Sequence, residues 1–296
     1  MNLSLKKENK SGLFFSLIAI VTIFITLIRG VVASFINDQN LVRITGSLFN
    51  ALSSLIIIFL FCYFTGNKPF KGIGFKKFDK KYIVLSITLC FGVLFGLGKL
   101  NIWFADFLTF LGVKLPDTSL PLDNAFWLVL TIIAVGVLPA FFEEVMFRGY
   151  ILTGLNNLSE VKIILISGLT FSLFHGSVTQ IIYQFIGGMI FALLTLRAGS
   201  ILPAMIMHLV NNLTIILLTY FFPTVNFFVW WTALIGLVIL IGSLVYLIFF
   251  CKKGENGLKY GDKKKEKGEV KGFFIYASLG IICYLLIWVL EIISYV

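Results

Sequence analysis

The fold of this chain is indicated most clearly by residues 126–148, which read FWLVLTIIAVGVLPAFFEEVMFR. An apolar helix needs about 20 residues to cross the hydrocarbon core of a bilayer, and this run is long enough. Glu143 and Glu144 fall inside it, although one charged side chain at the centre of a spanning helix costs roughly 2.5–3.5 kcal/mol on insertion scales. Two adjacent carboxylates at such a place indicate a functional site.

Similar apolar runs recur along the whole chain. Hydrophobic residues make up 59% of the 296 positions and charged residues only 13%, against roughly 25% charged in soluble domains. The sequence therefore predicts an all-α protein, a polytopic transmembrane helical bundle of about 8–9 spans. A membrane β-barrel would instead show alternating segments of about ten residues. Nine runs fit the expected spans: 13–37, 45–65, 82–105, 126–148, 161–176, 178–196, 200–221, 226–250 and 273–294.

The net charge of +10 is concentrated in three short segments between the apolar runs. These are the N-terminal tail, the connection 67–81 with six lysines, and the connection 251–272 with eight. With the N-terminus inside, all three lie on one side, so the positive-inside rule predicts that this side is cytoplasmic. Such segments rest against anionic lipid headgroups. We therefore expect membrane lipids as partners and no nucleic acid.

The acid pair has a cation at helical spacing. Glu144 and Arg148 are four residues apart, so on a helix they share a face and can form an ion pair. Glu143 lies about 100° around the helix from Glu144. Adjacent carboxylates in a medium of low dielectric constant repel each other, so each needs a different partner or protonation state. If Arg148 keeps Glu144 ionised, Glu143 is available as a general base.

The two histidines also occur at helical spacing from residues that could serve one site. His208 and Asn212 are four apart, and His175 follows Phe171 at the same interval. A histidine could position a water molecule. A second histidine and an asparagine could donate hydrogen bonds to a developing oxyanion. This combination suits hydrolysis of an amide bond by an activated water molecule.

Structural readings of the same residues stay open. The pair of Glu144 and Arg148 could simply hold a helix end at the interface, and the histidines and Asn212 could be interhelical hydrogen-bonding groups. Arg29 and Lys99 also lie in or near apolar runs, and their long side chains could reach the interface, so they are given structural roles.

Three motifs together resemble those of the CAAX protease and bacteriocin-processing family, which includes the type II CAAX prenyl endopeptidases and the bacterial Abi proteins. They are Glu143-Glu144-x-x-x-Arg148, Phe171-x-x-x-His175 and His208-x-x-x-Asn212. The resemblance covers residues 125–215 and implies an intramembrane endopeptidase that hydrolyses peptide bonds of membrane-associated peptides or protein tails. It further implies a multi-pass protein of the bacterial cell membrane whose site opens towards the cytoplasmic leaflet.

The resemblance gives catalytic roles to six residues: Glu143, Glu144, Arg148, His175, His208 and Asn212. Glu143 would be the general base, and His175 would help to activate the water. His208 and Asn212 would form the oxyanion site, although the neighbouring Asn211 leaves the choice of asparagine open. Glu144 and Arg148 would support the others. The chain then divides into N-terminal transmembrane helices (1–124), a CAAX-protease-like catalytic core (125–215) and C-terminal transmembrane helices (216–296) with the basic cytoplasmic loop 251–272.

No cofactor is favoured, but zinc is possible. Its ligands would be Glu143, His175 and His208, with a water molecule in the open position. The sequence has no His-Glu-x-x-His pair, and asparagine is a poor zinc ligand, so a glutamate-dependent mechanism is favoured over a metal-dependent one. The four cysteines, Cys62, Cys90, Cys251 and Cys283, show no spacing typical of a metal site or a disulfide framework.

Two functions of other classes compete with the protease. A non-enzymatic bacteriocin-immunity or scaffold protein could use the same helices to bind a toxin or partner. A proton-coupled transporter could use acids and histidines as a relay, but the sequence lacks the internal repeat of many transporters.

Overall fold

The computed structural model describes residues 5–115, 119–251 and 269–295, and within these ranges the chain forms nine helices and no strand. They are α1 (Lys7–Ala33), α2 (Gln39–Thr65), α3 (Lys81–Phe110), α4 (Ala125–Leu152), α5 (Glu160–Phe174), α6 (Ile181–Ala198), α7 (Leu202–Phe221), α8 (Trp230–Phe249) and α9 (Val270–Tyr295).

Eight of these helices are long and apolar enough to cross a membrane, and the exception is α5. With 15 residues, α5 is roughly 22 Å long at 1.5 Å per residue, short of the hydrocarbon core of about 30 Å. The protein is therefore an integral, multi-pass membrane protein. The prediction of an all-α transmembrane bundle with about 8–9 spans is confirmed.

Several helix ends meet at one face of the bundle. Ser11, near the start of α1, donates to the carbonyl of Ile151 near the end of α4 at 3.1 Å. The amide of Ile201, just before α7, donates to Gly74 in the connection after α2 at 3.0 Å. We call this the basic face, because the six lysines of residues 67–81 lie on it. Two of the three predicted basic segments thus lie together.

The termini of two segments differ from the expected ones. Helix α1 begins at Lys7, so Lys7 and Lys10 belong to the helix and not to a tail before a span starting at 13. Most of the predicted basic loop 251–272 lies outside the described residues, because the structure does not describe 252–268.

The outer helices are held by close backbone contacts at small residues. A Cβ atom added at Gly92 of α3 would lie 2.8 Å from the backbone of Leu240, and one at Gly96 would lie 2.9 Å from that of Gly236 on α8. Without a hydrophobic driving force between helices in lipid, such close packing is a main source of association. It attaches α8 to α3.

Helix α9 packs against α1 in the same way. Ser16 donates to the carbonyl of Tyr276 at 2.7 Å and accepts from the amide of Gly280 at 3.1 Å. Further along α9, the carboxylate of Glu291 accepts from the amide of Val178 at 2.7 Å and from Ser177 at 3.0 Å. These bonds hold the turn between α5 and α6, and this turn follows directly after His175.

Candidate active site

Helix α4 is irregular on both sides of the acid pair. Two π-helical segments, Ile132–Val137 and Val145–Leu152, enclose an α-helical segment, Leu138–Glu144. Pro139 lies in this middle segment and has no N–H to donate to the carbonyl four residues earlier. That carbonyl, of Val135, accepts a hydrogen bond from Nδ2 of Asn212 at 3.1 Å. Isolated π-helical turns occur frequently at functional sites.

Glu144 is fully buried and connects two of the predicted site residues. Its Oε1 lies 3.0 Å from Nη1 of Arg148 on the same helix and 2.9 Å from Nδ1 of His208 on α7. The first contact is the i, i+4 pair that the spacing permits, and the second joins α4 to α7. A carboxylate held by two donors in a buried place fixes the orientation of both partners.

Arg148 is also fully buried, and its surroundings offset the cost of burying a charge. Besides Glu144, it donates from Nη2 to the backbone carbonyl of Gly188 on α6 at 3.1 Å. The guanidinium carbon lies 4.4 Å from the ring centre of Phe171 and 4.8 Å from that of Phe191. These are cation–π distances. Arg148 therefore holds α4, α5 and α6 together around the acid pair.

Glu143 has a different environment from its neighbour. It is only half-buried, whereas Glu144 is fully buried. In both residues Oε2 has no hydrogen-bond partner among the described residues, but only Glu144 has its Oε1 bound by two donors. Glu143 lies nine residues before the end of α4 at Leu152, which is about 13 Å from the basic face along the helix axis. Glu143 is thus the more exposed carboxylate of the pair.

His175 lies at the end of α5, directly after its last residue. Its Nδ1 lies 2.8 Å from the carbonyl of Phe171, one turn earlier, and the two rings are 4.6 Å apart. In the neutral ring, a proton on Nδ1 then donates to this carbonyl, and the lone pair is on Nε2. The Phe-x-x-x-His spacing thus fixes both the tautomer and the tilt of the imidazole.

His208 and the two asparagines come from α7. The ring of His208 stacks on Phe191 with a centroid distance of 5.4 Å, and its Nδ1 is engaged by Glu144, so Nε2 is the ring nitrogen left for other contacts. Asn211 donates to Oδ1 of Asn212 at 3.2 Å. The two asparagines therefore form a single hydrogen-bonded unit.

Two cavities meet at Glu143. The smaller, of about 240 Å³, lies between α3, α4, α6 and α7 and is lined by Glu143, His175, His208, Asn211 and Asn212. The larger, of about 660 Å³, lies between α1, α2, α4 and α9, and Pro139, Glu143 and His175 line it as well. Four of the six predicted residues thus face one cavity, while Glu144 and Arg148 lie behind them.

The smaller cavity also contains polar residues that the sequence reasoning missed. Gln180, Tyr183 and Gln184 line it from the start of α6. Tyr183 donates to Oδ1 of Asn211 at 3.3 Å, and Gln184 donates to Gln180 at 3.1 Å. Their spacing of three and four residues in an otherwise apolar run is the signal that could have indicated them.

The residues named above as possible zinc ligands do not form a metal-binding group. In the part of the chain that the structure describes, no three His, Cys, Asp or Glu side chains are close enough together to hold a metal ion. The Nδ1 atoms of His175 and His208 are engaged by the Phe171 carbonyl and Glu144, which leaves both Nε2 atoms open. The set Glu143, His175 and His208 is thus not gathered into a zinc site in this structure, and we assign no chemical step to a metal.

Comparison with known proteins gives one match. The family model described as "Rce1-like: Type II CAAX prenyl endopeptidase Rce1-like" matches residues 125–214. No curated protein and no solved structure shows significant similarity to the chain. The matched segment contains α4 to α7 almost completely, and with them all six predicted site residues. Residues 125–214 are therefore similar to the Rce1-like family of type II CAAX prenyl endopeptidases.

Proposed function

We propose that this protein is an intramembrane endopeptidase that hydrolyses peptide bonds of membrane-associated peptides or protein tails with a water molecule activated by Glu143 and His175. One observation carries the proposal. The buried Glu144 is held through Oε1 by Arg148 and His208. The adjacent Glu143 has no such partners among the described residues and faces a cavity with His175. Two neighbouring carboxylates thus have two separate roles.

The first step is attack of water on the scissile carbonyl. Glu143 takes a proton from the water as its oxygen bonds to the carbonyl carbon. Nε2 of His175 accepts a hydrogen bond from the other O–H of the water, because its Nδ1–H is directed to the Phe171 carbonyl. The fixed ring thereby orients the water before the attack. The product of this step is a tetrahedral intermediate with an oxyanion.

The oxyanion is stabilised from α7. His208 is held at Nδ1 by the Glu144 carboxylate and directs Nε2 to the intermediate. Asn212 uses one amide hydrogen for the Val135 carbonyl, and the other is available to the intermediate. The intermediate then breaks its C–N bond, and Glu143 returns the proton to the leaving amine. One such donor is typically worth about 100- to 1000-fold in rate.

The charge distribution supports a cytoplasmic location for this chemistry. The basic face with its six lysines is placed in the cytoplasm by the positive-inside rule. Glu143 then lies in the cytoplasmic half of α4, as the resemblance implies.

The test is a cleavage assay with purified protein in lipid nanodiscs and a peptide library. Wild type should cleave some peptides, and Glu143→Gln should lose at least about 100-fold in rate while unfolding at the same temperature. His175→Ala should lose a comparable factor. A zinc chelator should leave the wild-type rate unchanged. Cleavage by Glu143→Gln at the wild-type rate would refute the proposal, and a loss with chelator that zinc restores would refute the metal-free mechanism.

A further inference from the structure

The larger cavity is formed where α1 and α9 separate. Near the basic face the two helices touch, with Ser16 hydrogen-bonded to Gly280 and the rings of Phe15 and Tyr284 at 5.6 Å. Beyond this contact, Thr22 and Ile287 line the cavity. The cavity therefore extends from Glu143 away from the basic face, between α1 and α9.

The mouth of this cavity lies in the half of the bundle remote from the basic face. Leu27 and Leu290 line it and are 66% and 64% exposed. Both lie in the last third of helices that start at the basic face, α1 and α9. This opening lies on the opposite side of Glu143 from the cytoplasmic opening that the resemblance implies.

Arg29 is the cation of this cavity. Its guanidinium packs on α2 at Gly46, where an added Cβ atom would lie 2.7 Å from Cζ. In the described parts of the chain, no carboxylate forms an ion pair with Arg29. Thr22, Thr26 and Arg29 follow one another at helical spacing along the same wall. Arg29 lies near the end of α1 and contributes a positive charge to the cavity wall.

A guanidinium near the end of a membrane helix is stabilised by interfacial water or by an anion that it binds. Its planar fork matches a carboxylate with two parallel hydrogen bonds. Because the cavity that contains it continues to Glu143, the anion in reach is one carried by the molecule being cleaved. This favours a peptide carboxylate over a lipid headgroup at the edge of the bundle.

We propose that Arg29 determines substrate specificity by binding a carboxylate of the peptide, either its C-terminus or an Asp or Glu side chain, in the larger cavity. This inference rests on the proposed endopeptidase function. The substrates would be peptides that carry a negative charge on the part that lies between α1, α2 and α9. Residues outside the family-matched segment 125–214 would then select the substrate.

The experiment compares cleavage of matched peptides by wild type and Arg29→Gln. Each cleaved peptide is also made with a C-terminal amide, and separately with Asn or Gln in place of each acid. For one of the carboxylates, wild type should cleave the peptide that carries it with a kcat/KM about tenfold or more above that of its uncharged counterpart. This factor corresponds to a charge-assisted hydrogen bond. Arg29→Gln should abolish this preference, and Arg29→Lys should keep part of it. The replacement in the peptide that lowers kcat/KM for wild type, but not for Arg29→Gln, identifies the carboxylate that Arg29 binds.

Two controls separate this inference from the proposed function. Lys99→Gln removes a cation of α3 that does not line the cavity, and it should leave the preference unchanged. Binding of labelled peptides to the inactive Glu143→Gln protein, with and without Arg29→Gln, should show the same preference as the kinetics. If cleavage depends on Glu143 but Arg29→Gln affects all peptides equally, or acts only in vesicles with anionic lipid, the inference fails and the function stands. If wild type cleaves nothing, both fail.

Discussion

Nδ2 of Asn212 lies 3.1 Å from the backbone carbonyl of Val135, on another helix. The carbonyl is the one that Pro139 cannot serve in an α-helix, because proline has no N–H. The same side chain also lines the smaller cavity. Asn212 thus links the break in α4 to the place where an oxyanion would form, and its structural and chemical roles can be separated.

Asn212→Ala should lower both stability and rate. Loss of the hydrogen bond to the Val135 carbonyl should lower the free energy of unfolding by about 1 kcal/mol. Loss of the oxyanion donor should lower kcat about 100-fold. Adding Pro139→Ala supplies a backbone N–H near Val135. The double variant should recover stability, measured by SDS titration, but not kcat. Recovery of both would mean that Asn212 acts only through the shape of α4.

Glu144→Gln should destabilise the protein, in contrast to Glu143→Gln. Removing one member of a buried ion pair leaves the other uncompensated, here Arg148, at a cost of about 3 kcal/mol or more. The matched control is Glu160→Gln, which breaks the less buried pair with Arg197 (2.9 Å) and should cost less than Glu144→Gln, because Glu160 keeps some contact with its surroundings outside the protein. Free energies of unfolding in SDS would test this. Equal losses for the two variants would contradict the supporting role of Glu144.

Much of the site could be predicted because membrane helices make polar residues conspicuous. Helical spacing alone pairs Glu144 with Arg148 and places His175 one turn after Phe171, and both contacts are present. The number and class of the helices followed from apolar runs, since a bilayer fixes their length. These are local properties of single helices.

Contacts between helices could not be read from spacing. The bond between Glu144 and His208 joins positions 64 apart in sequence, and it depends on how α4 packs against α7. The place of Arg29 in a cavity likewise depends on Gly46 of α2 and on the separation of α1 from α9. Such relations arise from tertiary packing, for which a single sequence carries no periodic signal.

Arg148→Lys should lower activity although it keeps the charge. A lysine has one compact ammonium group, which cannot reproduce the two contacts of the guanidinium with Glu144 and the Gly188 carbonyl (3.0 and 3.1 Å). We expect at least a tenfold loss in kcat and a loss of about 1–2 kcal/mol in stability. Arg197→Lys, at the Glu160 pair, is the control and should retain the wild-type kcat. If Arg148→Lys also retains it, a single point charge behind Glu144 is sufficient.

Two neighbouring glycines of α6 should respond in opposite ways to alanine. At Gly188 an added Cβ would lie 3.0 Å from both Gly168 and Phe171, whereas at Gly187 it would meet nothing within 4 Å. Gly188→Ala should therefore push α5 away from α6 and lower the free energy of unfolding by about 1–3 kcal/mol. It should also move the carbonyl that Arg148 binds.

Gly187→Ala should instead stabilise α6 by about 0.5–1 kcal/mol, because alanine loses less conformational entropy in a helix. Both variants add one methyl group to adjacent positions, so the comparison isolates the contact with α5. SDS titration and kcat should be measured on both. Equal stabilities would show that α5 and α6 can separate without loss, and an unchanged kcat in Gly188→Ala would show that the Gly188 carbonyl is not needed to orient Arg148.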